Sequence, residues 1–170
     1  ETDARLTQLK HGGGDADPWM PAPTGQTPRT PTLSAEDCTQ LGLTLELEGL
    51  SELARQSLPN NPYAIKRLPF RIGRQSSDPL AYNDLAIPDL APHQISVNHL
   101  LIFVQHGSDE HKTRVGIFDR GSRLGSRLNG QPLGGLMGNE NATFLPAGNS
   151  ELVLGDEDSL FKFRISLTFS

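Results

Sequence analysis

The chain has 170 residues and a formal net charge of -5, from 15 Lys+Arg and 20 Asp+Glu. This charge excludes nucleic acid as a default partner, because binding to a phosphate backbone needs a clustered excess of Lys and Arg. The apolar runs are too short to cross a bilayer and Cys38 is the only cysteine, so we expect a cytoplasmic protein with neither membrane insertion nor an internal disulfide.

The first 40 residues have the composition of a tail or linker. They contain five prolines, four glycines and a single aromatic residue, Trp19. Such a stretch buries too little apolar surface to offset an ordering cost of about 1–2 kcal/mol per residue. We therefore predict a disordered or irregular N-terminal tail over residues 1–40 and one folded domain over residues 41–170.

From Leu41 onward the apolar residues alternate with polar ones, which indicates half-buried strands. The segment from Leu41 to Glu48 is the first example, and Ser51–Ser57 is the one short helix expected, with Ser51 as its N-cap. The dipeptide Asn129-Gly130 predicts a type I′ hairpin. Further strands are expected at residues 63–68, 70–72, 84–87, 99–104, 113–118, 143–145, 151–154 and 161–169. Eight or more short strands with turn-rich loops predict an all-β sandwich.

Four short clusters of residues lie along this pattern: Gly73-Arg74, Ser96-Val97-Asn98-His99, the run from Asp119 to Gly130, and Leu154-Gly155. All but the last lie at strand ends or in loops, where a sandwich presents binding residues. Ser96 and His99 have the residue types of a nucleophile and its base, but no orienting acid can be named for them. The five histidines show no metal-ligand spacing. We therefore expect no enzyme activity, no metal and no cofactor.

Taken together and in this order, the four clusters resemble the forkhead-associated (FHA) domain over about residues 41–170. The resemblance implies an eleven-stranded β-sandwich whose loops at one end bind phosphothreonine in partner proteins. Arg74 corresponds to the phosphate-binding arginine of that family and Ser96 to its serine. His99 corresponds to a buried scaffold histidine that holds the loop.

The resemblance also implies a full set of site residues. A phosphothreonine carries a charge of about -1.5 to -2 and three acceptor oxygens, so its recognition needs an arginine, hydroxyls and free N–H groups on a rigid frame. The expected phosphothreonine- and peptide-binding residues are Arg74, Ser96, Asn98, Ser122, Arg123 and Leu124. The expected scaffold of the site is Gly73, His99, Gly125, Asn129 and Gly130.

Two positions depart from the family pattern. Val97 stands where a second phosphate donor is common, and Leu124 stands where an asparagine contacts the peptide backbone. The expected function is therefore phosphothreonine-dependent protein–protein interaction, with an FHA-fold scaffold that binds a protein without phosphate as the alternative.

Two Thr-Pro pairs make Thr27 and Thr30 possible phosphoacceptors in the tail. The expected partner is a phosphorylated protein, or this tail once it is phosphorylated. A Pro-rich spacer is the plainer interpretation of the same segment.

Overall fold

Two β-sheets pack face to face in the computed structural model, which describes residues 30–107, 113–138 and 140–170. One sheet has six strands in the order β2-β1-β11-β10-β7-β8, and the other has five in the order β4-β3-β5-β6-β9. All neighbours are antiparallel except the parallel pair β3 and β4. The strands are β1 (Leu43–Gly49), β2 (Tyr63–Ala64), β3 (Phe70–Arg74), β4 (Leu85–Ile87), β5 (Leu100–Gln105), β6 (Arg114–Asp119), β7 (Ser126–Leu128), β8 (Gln131–Leu133), β9 (Ala142–Phe144), β10 (Gly148–Leu154) and β11 (Lys162–Phe169). The all-β, eleven-stranded sandwich expected from the sequence is confirmed.

The core lies between the sheets and follows from the alternation in the sequence. In β1, Leu43, Leu45 and Leu47 point inward, and the register places Leu47 opposite Ile165 of β11. Strand β5 is buried on both faces, because Leu100, Ile102 and Val104 join the main core while Leu101 and Phe103 pack on the outer face. The outer cluster consists of Leu101, Phe103, Phe118 and Ala142, with Phe144 packed against it.

Two short helices flank the sandwich, α1 (Ala35–Gln40) and α2 (Glu52–Ser57). Helix α2 is the helix expected from the sequence, and the hydroxyl of Ser51 accepts a hydrogen bond from the N–H of Ala54 at its start. No helix among the described residues is long and apolar enough to cross a membrane.

The prediction that residues 1–40 form a tail is wrong for residues 33–40. Leu33 and Cys38 are buried in the main core, and Ser34 begins α1 with a capping box to Asp37. Leu33 also exchanges two backbone hydrogen bonds with Leu68. The average composition of residues 1–40 is that of a tail. It does not reveal that two apolar residues near the end of the segment are buried or that a capped helix turn forms there. Residues 1–29, including Trp19 and Thr27, lie outside the described residues.

Three connections meet at one end of the sandwich. Arg74, at the end of β3, donates its backbone N–H to the carbonyl of Ser96 in the β4–β5 loop. The β6–β7 loop joins them, because the N–H of Arg123 donates to the hydroxyl of Ser96. The β10–β11 loop closes the group, with the N–H of Gly155 bonded to the carbonyl of Gly125. Strand β3 begins at the opposite end, where Leu68 is paired with Leu33.

Candidate functional site

The guanidinium of Arg74 is the central charge of the loop end. Arg74 is the last residue of β3, and its side chain is half-buried. The Nη1 atom of Arg74 donates to the carbonyl of Ile95 at 3.1 Å. Among the described residues no carboxylate lies within 4 Å of this side chain. An arginine presents five N–H donors in a planar fork, so most of this fork is available to an oxyanion.

Ser96 lies between Arg74 and Arg123 and connects them. Its carbonyl accepts the N–H of Arg74 at 2.9 Å, and its hydroxyl oxygen accepts the N–H of Arg123 at 3.0 Å. Since the hydroxyl acts as the acceptor in that bond, its own proton remains to be donated. The side chain of Arg123 is exposed and its Nη2 donates to the carbonyl of His93.

His99 is fully buried and joins two of the loops. Its Nδ1 accepts the backbone N–H of Ser96 at 3.0 Å, so the ring proton is on Nε2, which donates to the carbonyl of Gly125 at 2.9 Å. Burial lowers the pKa of His99, outweighing the opposing effect of Asp119, so the ring is neutral at pH 7. Because the ring contacts the backbone of Ser96 and not its hydroxyl, the two side chains do not form a nucleophile–base pair.

A buried carboxylate, Asp119, organises the β6–β7 loop. It accepts the N–H groups of Gly121 and Ser122 and the hydroxyls of Ser122 and Ser126, at 2.7–3.1 Å. No role for Asp119 was expected from the sequence, although an Asp at a strand end with Ser three residues later is a recognisable turn signal.

Ser122 was expected to contact the ligand, and its geometry places it in the loop frame instead. The residue is 4 % exposed. Its hydroxyl donates to Asp119 and accepts the N–H of Gly125, so it has no proton left for a phosphate.

Two glycines are required by local geometry. A Cβ at Gly73 would lie 1.9 Å from the carbonyl oxygen of Val97, so only glycine allows β3 to pass this close to the β4–β5 loop. Gly125 has φ = 80°, in the left-handed region that L side chains avoid. Both residues therefore shape the loops around Arg74 and Ser96.

The remaining candidate residues divide into two groups. Asn98 is exposed and Leu124 is half-buried, both within the loops that meet at the site. Asn129 and Gly130 lie in the β7–β8 turn, at the far end of β7, with φ values of 51° and 83° that fit a type I′ turn. The Asn129 side chain accepts the N–H of Glu151 there. These two residues therefore hold the hairpin against β10 and do not join the loop cluster.

Two loop supports carry no sequence signal that points to the site. The Oδ2 atom of Asp89 accepts the N–H groups of Gln94 and Ile95, at 2.7 and 2.8 Å, immediately before Ser96. The side chain of Asn83 donates to the carbonyl of Val97 at 2.8 Å, immediately after it. The β4–β5 loop is thus held on both sides of the serine. In the described part of the chain, no group of three or more His, Cys, Asp or Glu side chains is arranged to hold a metal ion.

The two sheets and their order define a β-sandwich of the FHA type. No protein-family model matches the sequence, and no curated protein matches it. Solved structures do match. The structure of the yeast Pml1 splicing factor aligns with a TM-score of 0.59 at 19 % identity, over 84 % of this chain and 97 % of that one. A crystal structure of full-length yeast Pml1p gives a TM-score of 0.57 at 19 % identity, over 80 % and 94 %.

The FHA domain of MEK1 aligns with a TM-score of 0.51 at 15 % identity, over 78 % of this chain and 92 % of that one. The chain therefore has an FHA-type fold, in agreement with the resemblance of its four sequence motifs.

Proposed function

We propose that this domain binds phosphothreonine in protein partners through the Arg74–Ser96–Arg123 cluster. The observation that carries the proposal is the guanidinium of Arg74, which has no carboxylate within 4 Å among the described residues. It donates to the carbonyl of Ile95, and the next residue, Ser96, has a hydroxyl proton that remains to be donated. A phosphate fits these donors because it brings a double negative charge and several acceptor oxygens.

Each residue of the cluster has a distinct part in this proposal. Arg74 supplies the charge-assisted contact, Ser96 donates its hydroxyl proton, and the exposed Arg123 adds a second positive charge at the rim. Asn98 is exposed two residues after Ser96 and would donate from its amide. Leu124 offers an apolar contact to the partner segment in place of a backbone hydrogen bond.

The loops that carry these donors are held rigidly, which supports the proposal. The neutral ring of His99 and the carboxylate of Asp119 bind loop atoms from inside the protein, so the donors are held before a ligand arrives. Preorganised donors reduce the ordering cost of binding, which strengthens a site built from few side chains.

A second function has its own support. Val97 and Leu124 remove two polar contacts, and yeast Pml1, which shares the fold, integrates into the RES complex. Both observations fit an FHA-type scaffold that binds a protein partner through apolar loop contacts without phosphate.

A phosphothreonine peptide library, measured beside unphosphorylated copies of the same peptides, separates the two functions. We expect binding only by the phosphorylated set and a loss of about 10- to 150-fold for Arg74→Ala, the value of a charge-assisted contact of about 1.5–3 kcal/mol. Arg67→Ala is the matched control, because Arg67 is exposed at the other end of β3. Equal binding of both peptide sets would favour the phosphate-independent scaffold.

A further inference from the structure

An apolar groove lies beside helix α2 at the loop end of the sandwich. It has a volume of about 520 Å³ and is bounded by α2, the β4–β5 loop and the β10–β11 loop. Three leucines that line it are exposed, Leu53 by 39 %, Leu160 by 60 % and Leu90 by 87 %. Exposed apolar side chains that gather around one concavity are typical of a contact surface.

The charge of this groove is opposite to that of the Arg74–Ser96–Arg123 cluster. Among the described residues that line it, Asp89 and Asp158 are acidic and none is Lys, Arg or His. Two carboxylates without a neighbouring cation repel a phosphate or an acidic peptide. The groove therefore suits an uncharged, apolar segment.

The chain itself contains such a segment. Residues 18–26 carry no charged side chain and begin with Pro18-Trp19-Met20-Pro21, which lies outside the described residues. Tryptophan is enriched among the residues that dominate binding energy, and the thioether of methionine adapts to irregular apolar surfaces. The two prolines restrict the backbone on either side, so less conformational freedom is lost when the segment binds.

The linker is long enough to bring this segment to the groove of the same molecule. The pairing of Leu33 with Leu68 lies at the start of β3, and the groove lies at the other end of that strand, about 20 Å away. Trp19 precedes Leu33 by 14 residues, which span up to about 46 Å. The linker can therefore follow the surface of the sandwich without being fully stretched.

We propose that Pro18–Pro21 of this chain docks in the groove beside α2 of the same molecule, with the indole of Trp19 between Leu90 and Leu160. A short flexible linker gives an effective concentration in the mM range, so even a weak contact stays occupied. The buried indole N–H needs an acceptor, and the exposed side chains of Gln56 and Asp158 in the groove lining supply one. This inference does not depend on phosphothreonine binding.

Tryptophan fluorescence of the full chain tests the docking, because Trp19 is the only tryptophan. We expect the emission maximum of the folded protein to lie at shorter wavelength than that of the urea-unfolded protein, with weaker quenching by acrylamide. Emission at the unfolded wavelength in the folded protein overturns the proposal.

A double variant locates the contact. Leu90→Ser combined with Leu160→Ser should remove the emission shift and restore quenching. The matched control combines Leu80→Ser with Leu136→Ser, because these leucines are 92 % and 96 % exposed and do not line the groove. The control should keep the shift, and melting temperatures establish that both double variants are folded. A shift that survives in the groove variant overturns the groove as the docking site.

Two further measurements confine the contact to one molecule. Trp19→Ala should move the backbone amide signals of Leu90 and Leu160 and leave that of Gly130, in the β7–β8 turn, unchanged. The emission maximum should also stay constant over a range of protein concentrations. An emission shift that grows with concentration overturns docking within one molecule, since it assigns the contact to neighbouring molecules.

Discussion

At the scale of a single side chain, the ring of His99 connects two loops. The connection depends on the protonation state of the ring. The neutral ring accepts from the N–H of Ser96 and donates to the carbonyl of Gly125. A second ring proton would place two N–H groups in opposition at Ser96 and break the bond that holds the serine. The buried ring therefore has to stay neutral for the loops to keep their geometry.

This requirement predicts a pH dependence with a definite sign. The pKa of His99 in the folded protein is lowered from its ordinary value of 6.5. Between the two pKa values the unfolded chain therefore binds a proton that the folded protein does not bind. The free energy of unfolding should be highest above pH 6.5 and should fall as the pH drops below 6.5 toward the folded-state pKa. NMR titration of the ring protons provides the measurement. The exposed His106 is the internal comparison, and a His99 that titrates at or above 6.5 would contradict the prediction.

Leu124 is the residue at which the two proposed functions differ most. It is half-buried in the β6–β7 loop, next to Arg123, at the position where the family pattern has an asparagine. Leu124→Asn should strengthen phosphopeptide binding by about one hydrogen bond, 0.5–1.5 kcal/mol, if the partner lies across this loop in extended form. Isothermal titration calorimetry measures the change. A weaker complex after the substitution would assign Leu124 to an apolar contact and favour the phosphate-independent scaffold.

At the scale of the elements, local patterns were sufficient to predict the strands. The alternation in β1 and β11 and the Asn129-Gly130 turn between β7 and β8 each depend on neighbouring residues only. Helix α1 was missed because its stability comes from Leu33 and Cys38 packing into a core that is formed by distant strands. The residues of the site were also recognisable as motifs in the sequence. That these residues come together in space could not be predicted, because it depends on long-range hydrogen bonds such as that from Arg123 to Ser96, across 27 positions.

The β4–β5 loop provides the prediction at this scale. Asp89 binds the two backbone N–H groups that precede Ser96, so Asp89→Ala should loosen the loop and weaken phosphopeptide binding by about tenfold with little loss of core stability. Hydrogen exchange at the amides of Gln94 and Ile95 should become faster. Asp158→Ala is the control for charge, because Asp158 is exposed in the neighbouring β10–β11 loop. Unchanged exchange at both amides would show that Asp89 does not hold the loop.

At the scale of the whole molecule, the two ends of the sandwich have different tasks. The loops at one end form the proposed binding site, whereas the other end anchors the incoming chain through the pairing of Leu33 with Leu68. From Leu68 to Arg74 the chain advances six residues, about 20 Å in extended form. Thr30 is three residues before Leu33 and reaches at most about 11 Å, and Thr27 reaches about 22 Å only when fully stretched. By contour length alone, the backbone of Thr30 would stop short of the Arg74 of its own molecule, and that of Thr27 would reach it only when fully extended.

Phosphorylation of Thr27 and Thr30 should accordingly produce contacts between molecules. We expect the phosphorylated protein to associate more strongly as its concentration rises, and Arg74→Ala to prevent the association. Sedimentation velocity over a range of concentrations measures this. A phosphorylated protein that stays monomeric while its Arg74 and Ser96 amide signals shift would instead show that the tail binds within one molecule.

The anchor at Leu33 also decides what kind of assembly such contacts make. Each molecule would carry one donor segment and one acceptor site, so a single contact between two molecules is head-to-tail and leaves one segment and one site free. Molecules of this kind associate by step growth, and the average length of the assembly depends on the fraction of tails that carry phosphate. The balance between a kinase and a phosphatase would then set the size of the assembly through the short segment that carries Thr27 and Thr30.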